Sequence, residues 1–532
     1  MSDAANQITL TIDGVDVKVE AGTTVLQAAE RAGIVVPHYC YHPGIPSRPA
    51  QCRMCLVEIE GQPKLQPSCV FPAGDGMVVH TASETAETAR KSVIEFLLLN
   101  HPLDCPICDA AGQCMLQDYA FETGQLRSRY AEAKLVLGRD RVADDILYFG
   151  DRCIICTRCV RFMEDIAGDN ALVVAQRGHK AYIDTFPGKD LDHAFRGNIV
   201  DVCPVGALVH EDFVFKARAW DMDSSAGICP GCSTGCNIDI NVKENRIVRT
   251  KPRLNPDVNS YWMCDHGRRC LVATNLRERA EAPMIRAAGE LEPASWNESI
   301  EWVAERLVSG PGVSVVSAGL SNETLFYSHL LLEWLGIAGG AFRVETGEEI
   351  ELKGFPKLKL RAERAPNGKG AELLGFRRTD SLPEVPDGAT LVALGDGLEG
   401  APAEYGANAG FFLYIGSHLP AAAHNATAIL PATTVPEMEG TFVNFEGRVQ
   451  RFHRALRPPG VARPAWMFLS RLLERLGAGQ GVLDIRAAFA AMAAETPGLQ
   501  DLTWGGLGLR GALLNGDGQP AVAAGEGAAW KR

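Results

Sequence analysis

The sequence predicts an α+β protein of several domains, and three observations support this. The chain has 532 residues, whereas single hydrophobic cores rarely extend beyond about 250–300 residues. Its sixteen cysteines all precede residue 271, so the amino-terminal half differs in chemistry from the rest. After about residue 290, strand-like runs alternate with helical stretches, which predicts a carboxy-terminal α/β domain with a mainly parallel sheet.

The amino-terminal segment predicts a small β-rich domain with one crossing helix. Residues 8–12 and 15–19 alternate apolar and polar side chains on either side of an Asp-Gly pair, which is the pattern of a β-hairpin. A threonine cap precedes a helix that we predict over 25–32. The runs MCLVEIEG and GMVVHTA predict further strands. A second helix is predicted over 84–99 and ends next to His101.

The carboxy-terminal region predicts an α/β domain without a nucleotide site. GVSVVSAG, ATLVALG and GFFLYIG are strand-like, and SNETLFYSHLLLEWLG and AWMFLSRLLERLG are helical. Residues 395–400 match G-x-G-x-x-G after a strand, but no helical pattern follows and position 420 is proline rather than an acidic residue. We therefore expect a surface loop there. The glycine- and alanine-rich stretch from Gly505 is expected to be poorly ordered.

Charge and hydropathy exclude several classes of function. A net charge of −13 argues against nucleic-acid binding, which requires a basic face. The chain has neither a signal-peptide pattern nor an apolar run of about 18 residues. We therefore expect a reducing compartment, in which cysteines bind metals more readily than they form disulfides.

All but one of the sixteen cysteines, together with one histidine, fall into four groups with metal-ligand spacing. The groups are Cys40, Cys52, Cys55 and Cys69 (set 1); His101, Cys105, Cys108 and Cys114 (set 2); Cys153, Cys156, Cys159 and Cys203 (set 3); and Cys229, Cys232, Cys236 and Cys264 (set 4). Thiolates are soft ligands, and four of them complete a two-iron or a four-iron cluster. Four such sets predict four iron–sulfur clusters and a protein that carries electrons. Cys270 is left over, and we expect it to be an inert core thiol.

The spacing within the sets distinguishes their cluster types in part. Set 1, C-x11-C-x2-C-x13-C, resembles the plant-type two-iron arrangement, although its first gap is eleven residues rather than four. Set 3 has a C-x2-C-x2-C loop suited to a four-iron cube and a remote ligand before Pro204, as in bacterial ferredoxins. Arg152, Arg158 and Arg161 interleave with this loop. They could offset the charge of a cluster or belong to a solvated face.

Set 2 is unusual because it contains a histidine. A neutral imidazole in place of a thiolate should raise the potential of a cluster. The alternative is that His101 is a cation at the end of a helix, but its place just before C-x2-C-x5-C favours ligation. Zinc is the alternative metal for every set. The spacing favours iron–sulfur clusters for sets 1 and 3 and leaves zinc open for set 4.

Four segments carry a resemblance to a known family. CYHPGIPSRPAQCRMCLVEIEG, NHPLDCPICDAAGQCMLQD, RCIICTRCVRFMEDIAG and GNIVDVCPVGAL resemble the large iron–sulfur subunit of proton-pumping NADH:quinone oxidoreductase (respiratory complex I). The resemblance runs over residues 8–220. Set 4 resembles the cluster domain of molybdopterin oxidoreductases, and ILPATTVPEMEGTFVNFEGRVQ, at 429–450, resembles the same superfamily.

The resemblance implies a division into five domains. These are a β-grasp ferredoxin-like two-iron domain (1–80), a His/Cys four-iron domain (81–140), a four-iron ferredoxin-like domain (141–221), a molybdopterin-oxidoreductase-type four-iron domain (222–285), and a truncated, degenerate α/β molybdopterin-oxidoreductase-like domain (286–532). Set 1 would then hold a [2Fe-2S] cluster and sets 2, 3 and 4 would each hold a [4Fe-4S] cluster, with no molybdenum.

The resemblance also implies an electron relay without a catalytic residue of its own. Set 1 would receive electrons from a flavoprotein subunit that oxidises NADH, set 3 would follow, and set 2 would deliver them to the quinone-module subunits. Set 4 would lie off this path. The chain would be peripheral, on the cytoplasmic side of the bacterial inner membrane, with membrane contact only through the complex.

Three other functions compete with this one. The chain could be the relay subunit of an NAD-linked hydrogenase, a molybdenum-dependent formate dehydrogenase, or a scaffold with zinc sites. The lack of cysteine after Cys270 argues against an iron-only hydrogenase and against a cysteine ligand to molybdenum. A serine or aspartate ligand to molybdenum stays open.

Overall fold

The computed structural model describes residues 7–125, 127–276, 278–337 and 339–514. These residues form two compact units. The first comprises the described residues up to Met222 together with Leu352–Pro356, and the second comprises the rest. Within the described ranges, no helix combines the length and the apolar character needed to cross a membrane.

The first unit begins with a five-stranded sheet and one helix. Its elements are β1 (Gln7–Ile12), β2 (Val15–Glu20), α1 (Val25–Arg31), β3 (Leu56–Ile59), β4 (Gln66–Pro67) and β5 (Val78–His80). The strands are arranged in the order β2-β1-β5-β3-β4. Asp13 and Gly14 both have positive φ, as a two-residue hairpin turn requires. Thr24 and Gln27 form a reciprocal capping box at the start of α1. The predicted hairpin and helix are therefore confirmed.

The rest of the first unit consists of short elements joined by the ligand loops. They are α2 (Glu84–Leu98), α3 (Met115–Thr123), β6 (Arg139–Ala143), β7 (Ile146–Phe149), α4 (Arg158–Arg161), β8 (Leu172–Ala175), β9 (Tyr182–Thr185), α5 (Asn198–Val202) and β10 (Leu208–His210). Helix α4 continues directly into a π-helical turn over Phe162–Ala167, a rare conformation that is frequent at functional sites. Gly354 donates a hydrogen bond to the Ile166 carbonyl at 2.7 Å, which explains why Leu352–Pro356 belongs to this unit.

The second unit begins with an antiparallel sheet that precedes the larger domain. Its elements are β11 (Asp223–Ile228), β12 (Asn237–Lys243), β13 (Arg246–Pro252) and α6 (Asp265–Cys270). The strands pair in the order β11-β12-β13. The turn between β12 and β13 places Glu244 and Asn245 at positive φ.

The larger domain contains an eight-stranded sheet with helices. Its elements are β14 (Met284–Ala287), β15 (Glu290–Pro293), α7 (Trp296–Arg306), β16 (Gly312–Ser317), α8 (Asn322–Leu335), β17 (Ala341–Arg343), β18 (Ile350–Glu351), β19 (Lys359–Leu360), α9 (Gly368–Leu373), β20 (Arg377–Arg378), β21 (Thr390–Leu394), β22 (Phe411–Gly416), β23 (Ala428–Pro431), β24 (Gly440–Val443), β25 (Arg448–Phe452), α10 (Ala465–Arg475), α11 (Ile485–Glu495) and β26 (Ala512–Leu513). The sheet order is β15-β14-β23-β22-β21-β16-β17-β20. The six strands from β23 to β20 are parallel, and the β14–β15 hairpin adds an antiparallel edge. Every residue of β21 and β22 is buried, as expected of parallel strands covered on both faces. The predicted mainly parallel α/β domain is confirmed.

Two glycine-rich segments of this domain pack closely against strands. After β21, Gly395–Leu398 forms a 3-10 turn, and no α-helix follows before β22, which confirms the predicted loop. A Cβ on Gly397 would lie 3.2 Å from the Val316 carbonyl carbon. The predicted disorder from Gly505 is wrong for residues 505–514, because β26 pairs with β25 there. A Cβ on Gly511 would lie 2.4 Å from the Val449 oxygen, so glycine permits this pairing. Residues 515–532 lie outside the described residues.

Candidate metal centres

Set 1 lies in the loops that connect α1 to β3 and β4 to β5. Cys40, Cys55 and Cys69 are buried and Cys52 is partly exposed. The thiol of Cys40 lies close to those of Cys52 and Cys69, and the thiol of Cys55 lies close to that of Cys69. These contacts lower the pKa of Cys40 and raise the pKa of Cys52 and of Cys69. All four thiols therefore converge, and their donor set suits an iron–sulfur cluster.

Set 3 surrounds a cavity between β7, α4 and the segment after α5. The loop that carries the first three cysteines turns at Ile155 and Thr157, both of which have positive φ. The side chains that line the cavity are those of Tyr148, Cys153, Ile154, Cys156, Thr157, Cys159, Ile183, Cys203, Val205, Ala207 and Leu208. Burial raises the pKa of Cys153 and of Cys203 to about 11. Buried thiols of this kind ionise when a metal supplies positive charge, so the cavity fits a metal cluster.

Set 2 follows helix α2. Burial lowers the pKa of His101 to about 4, so its imidazole is neutral at pH 7, as ligation requires. The His101 Nδ1 atom is buried and has no hydrogen-bond partner among the described residues. Burial lowers the pKa of His101 and raises that of Cys108, and the charge of Arg152 adds to the first shift and opposes the second, so both residues lie near the same guanidinium. A neutral ring does not support the alternative that His101 is a helix-terminal cation.

The remaining members of set 2 differ in exposure. Cys108 and Cys114 are buried, whereas Cys105 is exposed. Burial raises the pKa of Cys114 to about 11. A Cβ on Gly206 would lie 2.2 Å from the Cys108 sulfur, so the backbone at Gly206 approaches this predicted ligand more closely than any other residue type would allow. Sequence spacing did not reveal the role of Gly206.

Set 4 is the ligand set of the second unit, and all four of its cysteines are buried. The Gly231 amide donates to the Cys229 sulfur at 3.5 Å and the Gly267 amide donates to the Cys264 sulfur at 3.3 Å. Burial raises the pKa of Cys236 and of Cys264. The position of Cys264 is fixed further because it is the N-cap of α6. These are the contacts expected of thiolates that accept backbone hydrogen bonds around a cluster.

Cys270 lies beside set 4. Its thiol donates to the Gly267 carbonyl at 3.2 Å and contacts the Cys229 thiol. It is only partly buried. We expected Cys270 to lie in the core, and this was wrong. The turn of α6 instead brings its thiol back towards the predicted ligand Cys229.

In the described parts of the chain, no three His, Cys, Asp or Glu side chains are placed so that they could hold one metal ion. A four-iron cluster takes one protein ligand on each iron, so its four ligands need not converge on one point.

The three arginines that interleave with set 3 do not form a solvated face. Arg152, Arg158 and Arg161 are only 3%, 6% and 7% exposed. Arg152 forms an ion pair with Asp104 at 2.9 Å and packs over the Phe149 ring at 4.1 Å. Asp104 immediately precedes Cys105, so Arg152 joins the segment of set 3 to that of set 2.

Further contacts show that set 3 is the neighbour of both other sets in the first unit. The Met115 amide, next to Cys114, donates to the carbonyl of Pro204 at 3.0 Å, and Pro204 follows Cys203. On the other side, the Gln51 side chain donates to the Ile155 carbonyl at 2.8 Å, which joins the set 1 loop to the set 3 loop. Hydrogen bonds thus join set 3 to set 1 on one side and to set 2 on the other.

In the second unit, protein side chains fill the edge of the parallel sheet where α/β proteins usually bind ligands. Glu323, in the first turn of α8, is fully buried and accepts hydrogen bonds from the Thr441 amide at 3.1 Å and the Thr441 hydroxyl at 2.8 Å. Asn322 donates to the same hydroxyl at 2.9 Å. Asn367 accepts from the Val443 amide at 2.7 Å and donates to a loop carbonyl. These polar groups bond to protein atoms, except for the Asn322 Oδ1 atom, which is buried without a hydrogen-bond partner among the described residues.

Comparison with protein-family models matches five segments. Their descriptions and residues are "2Fe-2S iron-sulfur cluster binding domain" (5–84), "NADH-ubiquinone oxidoreductase-G iron-sulfur binding region" (90–129), "NADH-quinone oxidoreductase subunit 3, ferredoxin-like domain" (145–209), "Molybdopterin oxidoreductase Fe4S4 domain" (222–275) and "Molybdopterin oxidoreductase" (404–475). The first four segments contain sets 1, 2, 3 and 4 respectively. The chain is therefore a multidomain iron–sulfur protein that also contains molybdopterin-oxidoreductase-type domains.

Similar proteins place this combination in one family. A Candida albicans protein named NADH-ubiquinone oxidoreductase 78 kDa subunit, mitochondrial, is 30% identical over an alignment of 603 positions, which covers 89% of this chain and 83% of the relative. A Streptomyces coelicolor protein, named as a subunit of NADH-quinone oxidoreductase, is 38% identical over 384 residues, which cover 70% of this chain and 44% of the relative. The chain belongs to the family of the large iron–sulfur subunit of NADH:quinone oxidoreductase.

The extent of these similarities varies. The chain spans about half the length of several bacterial relatives that it matches. A chain in the crystal structure of an NAD+-reducing [NiFe]-hydrogenase in the H2-reduced state is 33% identical, covers 40% of this chain and 90% of that chain, and gives a TM-score of 0.37.

Proposed function

We propose that this chain is the electron-relay subunit of an NADH:quinone oxidoreductase. It would receive electrons from a flavoprotein subunit that oxidises NADH and pass them towards the quinone-reducing subunits. The observation that carries this proposal is the set of contacts within the first unit that joins set 3 both to set 1 and to set 2. Family membership supports the same function.

The ligands would hold one [2Fe-2S] cluster at set 1 and a [4Fe-4S] cluster at each of sets 2, 3 and 4. Such clusters, when bound, accept and release single electrons. The protein's part is to supply soft ligands, to keep water out and to fix the spacing between the sets. Buried thiols and the neutral imidazole of His101 serve the first two purposes. Backbone contacts between ligand loops, such as Met115 to Pro204 at 3.0 Å, serve the third.

The surroundings of set 2 support an exit to another protein. Cys105 is exposed, and exposed apolar side chains lie on the same segment, including Leu103, which is 89% exposed, and Ile107. The segment that carries exposed Trp220 packs on this loop, since a Cβ on Gly112 would lie 2.8 Å from the Trp220 ring. Exposed apolar groups of this size mark protein interfaces. We propose that a quinone-module subunit covers them.

The second unit would have a structural role. We propose that its α/β domain holds no molybdopterin, because Glu323, Asn322 and Asn367 fill the edge of the sheet with hydrogen bonds to protein atoms. The protein would thus consist of the five domains predicted above, with set 4 off the electron path. The β-grasp fold of the first domain, the flavoprotein partner, and a peripheral position on the cytoplasmic side of the bacterial inner membrane are parts of the same proposal.

The test uses the full chain, purified without oxygen, alone and with its flavoprotein subunit. Iron and acid-labile sulfide analysis with electron paramagnetic resonance (EPR) should detect both cluster types, and NADH should reduce them only when the flavoprotein is present. Zinc without sulfide, or reduction by NADH of the flavin-free chain alone, would refute the proposal. Reduction of the intact complex by hydrogen or formate instead of NADH would identify one of the competing functions.

A further inference from the structure

Two buried arginines lie between set 1 and set 3. Arg158 and Arg161, here called the arginine pair, form the two ends of α4. The ligand Cys159 lies between them in the chain. They are 6% and 7% exposed, although arginine is among the residues that are least often buried. A buried cation requires compensation by hydrogen bonds and negative charge, so the partners of the arginine pair indicate its purpose.

The hydrogen bonds of the arginine pair end on the loop that carries set 1. Arg158 donates to the carbonyl of Tyr41, and Arg161 donates to the carbonyls of Cys40 and Ser47, the last at 2.6 Å. Arg158 also donates to the Val202 carbonyl at 3.3 Å, immediately before the fourth ligand of set 3. The planar fork of arginine suits such two-point contacts, which lysine cannot reproduce.

The charges of the arginine pair act on both sets. Burial lowers the pKa of Arg158, whereas the cysteines of set 3, Cys156 and Cys203, followed by Cys40 and Cys52 of set 1, raise it when their thiols are ionised. Burial likewise lowers the pKa of Arg161, and its opposing thiolates include those of Cys40 and Cys156. Arginine keeps its proton in proteins, so both guanidinium groups remain cations.

One donor of Arg158, its Nε atom, has no acceptor among the residues that the structure describes. This atom is also buried. Leaving a charged donor without an acceptor costs more than leaving a neutral one. Cluster sulfur and thiolate sulfur are acceptors of the required charge, so the donor set of Arg158 suits an anionic group next to it.

We propose that Arg158 and Arg161 are positioning residues shared by two clusters: they fix the loop of set 1 against the helix of set 3, and their charges stabilise the reduced form of both clusters. This inference rests on the proposed function, because it requires clusters at both sets. A reduced cluster carries one more negative charge than an oxidised one, and a fixed cation in a site of low dielectric stabilises that charge. Both midpoint potentials should therefore depend on the same two side chains.

The experiment compares Arg158→Gln and Arg161→Gln with Arg158→Lys and Arg161→Lys in the full chain. The control is Arg141→Gln, because Arg141 is exposed and pairs with Glu211. EPR-monitored redox titration gives the midpoint potential of each cluster, and pulsed EPR gives the distance between them. Iron and sulfide analysis shows whether both clusters are retained.

We expect each glutamine variant to shift the midpoints of the set 1 and set 3 clusters to more negative potentials. Each lysine variant should keep both midpoints close to wild type but broaden the distance distribution, because lysine retains the charge and loses the two-point contact. Arg141→Gln should change neither. An unchanged midpoint at set 1, or equal shifts in the lysine and glutamine variants, would overturn the proposal.

Two further outcomes separate this inference from others. If wild-type chain shows no cluster at set 1 or set 3, the proposed function fails first. If Arg158→Gln loses a cluster, the test of the proposal passes to Arg161→Gln and the two lysine variants. Arg161 is suited to this because its main contacts are with backbone carbonyls of one loop. In that case a shift at both clusters in Arg161→Gln supports the proposal, and a shift at set 3 alone refutes it.

Discussion

A single methyl group at Gly206 should prevent cluster binding at set 2. In Gly206→Ala, the new Cβ would lie 2.2 Å from the Cys108 sulfur and 3.2 Å from the Ala110 Cβ. Carbon and other non-bonded heavy atoms approach to about 3.5–4.0 Å, so the sulfur must move by more than about 1 Å. Functional groups have to be held within about 0.5 Å of their productive geometry. The displacement therefore exceeds what a ligated Cys108 can tolerate.

The same substitution should be tolerated by the fold, because a cysteine side chain that is free of metal can rotate away. We expect Gly206→Ala to retain the clusters of sets 1 and 3 and to lose that of set 2, as measured by EPR and by iron content per chain. Gly310→Ala is the matched control, since a Cβ there meets nothing within 4 Å. Full retention of the set 2 signal in Gly206→Ala would refute Cys108 as a ligand.

Four further outcomes are expected. His101→Cys should keep a four-iron cluster at a lower potential, because a thiolate disfavours the more negative reduced form; a redox titration with an unchanged or higher midpoint would contradict this. Replacing Cys232 and Cys236 with Ala should reduce the yield of assembled complex more than it reduces the quinone reductase turnover per complex. If the assembled variant loses most of its turnover, set 4 lies on the electron path. Elemental analysis of the native complex should detect no stoichiometric molybdenum. Burial raises the pKa of Glu323 from 4.5 to about 7 in the folded chain. The free energy of unfolding should therefore fall by about 3 kcal/mol as pH rises through that range, because ionised Glu323 is disfavoured in the folded state. The Glu323→Gln variant should not show this fall when the unfolding free energies of both chains are measured at pH 5 and pH 8.

Sequence patterns among nearby residues predicted the secondary-structure elements that are determined by residues close together in the chain. The hairpin of β1 and β2 follows from alternating side chains and a turn that needs positive φ at Asp13 and Gly14. Helix α2 was predicted over 84–99 and spans Glu84–Leu98, with Ser83 as its cap. These signals lie within a few residues of one another, so no tertiary information was required. The parallel strands were predictable for a related reason, because burial on both faces leaves continuous apolar runs.

The surroundings of the ligand sets depend on contacts between distant segments and could not be predicted. Spacing selected the cysteines but left the arginines of set 3 equally compatible with a solvated face. Only the fold places the Tyr41 carbonyl against Arg158, more than a hundred residues away in the chain. The prediction for Cys270 failed for the same kind of reason. Its neighbour Cys229 is distant in the chain, because β12 and β13 lie between the two residues and α6 ends at Cys270.

The residues that position the first three sets are direct neighbours of ligands in the chain. Met115 follows Cys114 and bonds to Pro204, which follows Cys203. Arg158 precedes Cys159 and bonds to Tyr41, which follows Cys40. Because each contact is only one peptide away from a ligand at both ends, little flexible chain separates one set from the next. The spacing between the ligand sets then depends on hydrogen bonds to backbone carbonyls, one from the Met115 amide and one from the buried Arg158 side chain. Substitutions beside the ligands should therefore change the rate of electron transfer between sets even where every ligand is retained.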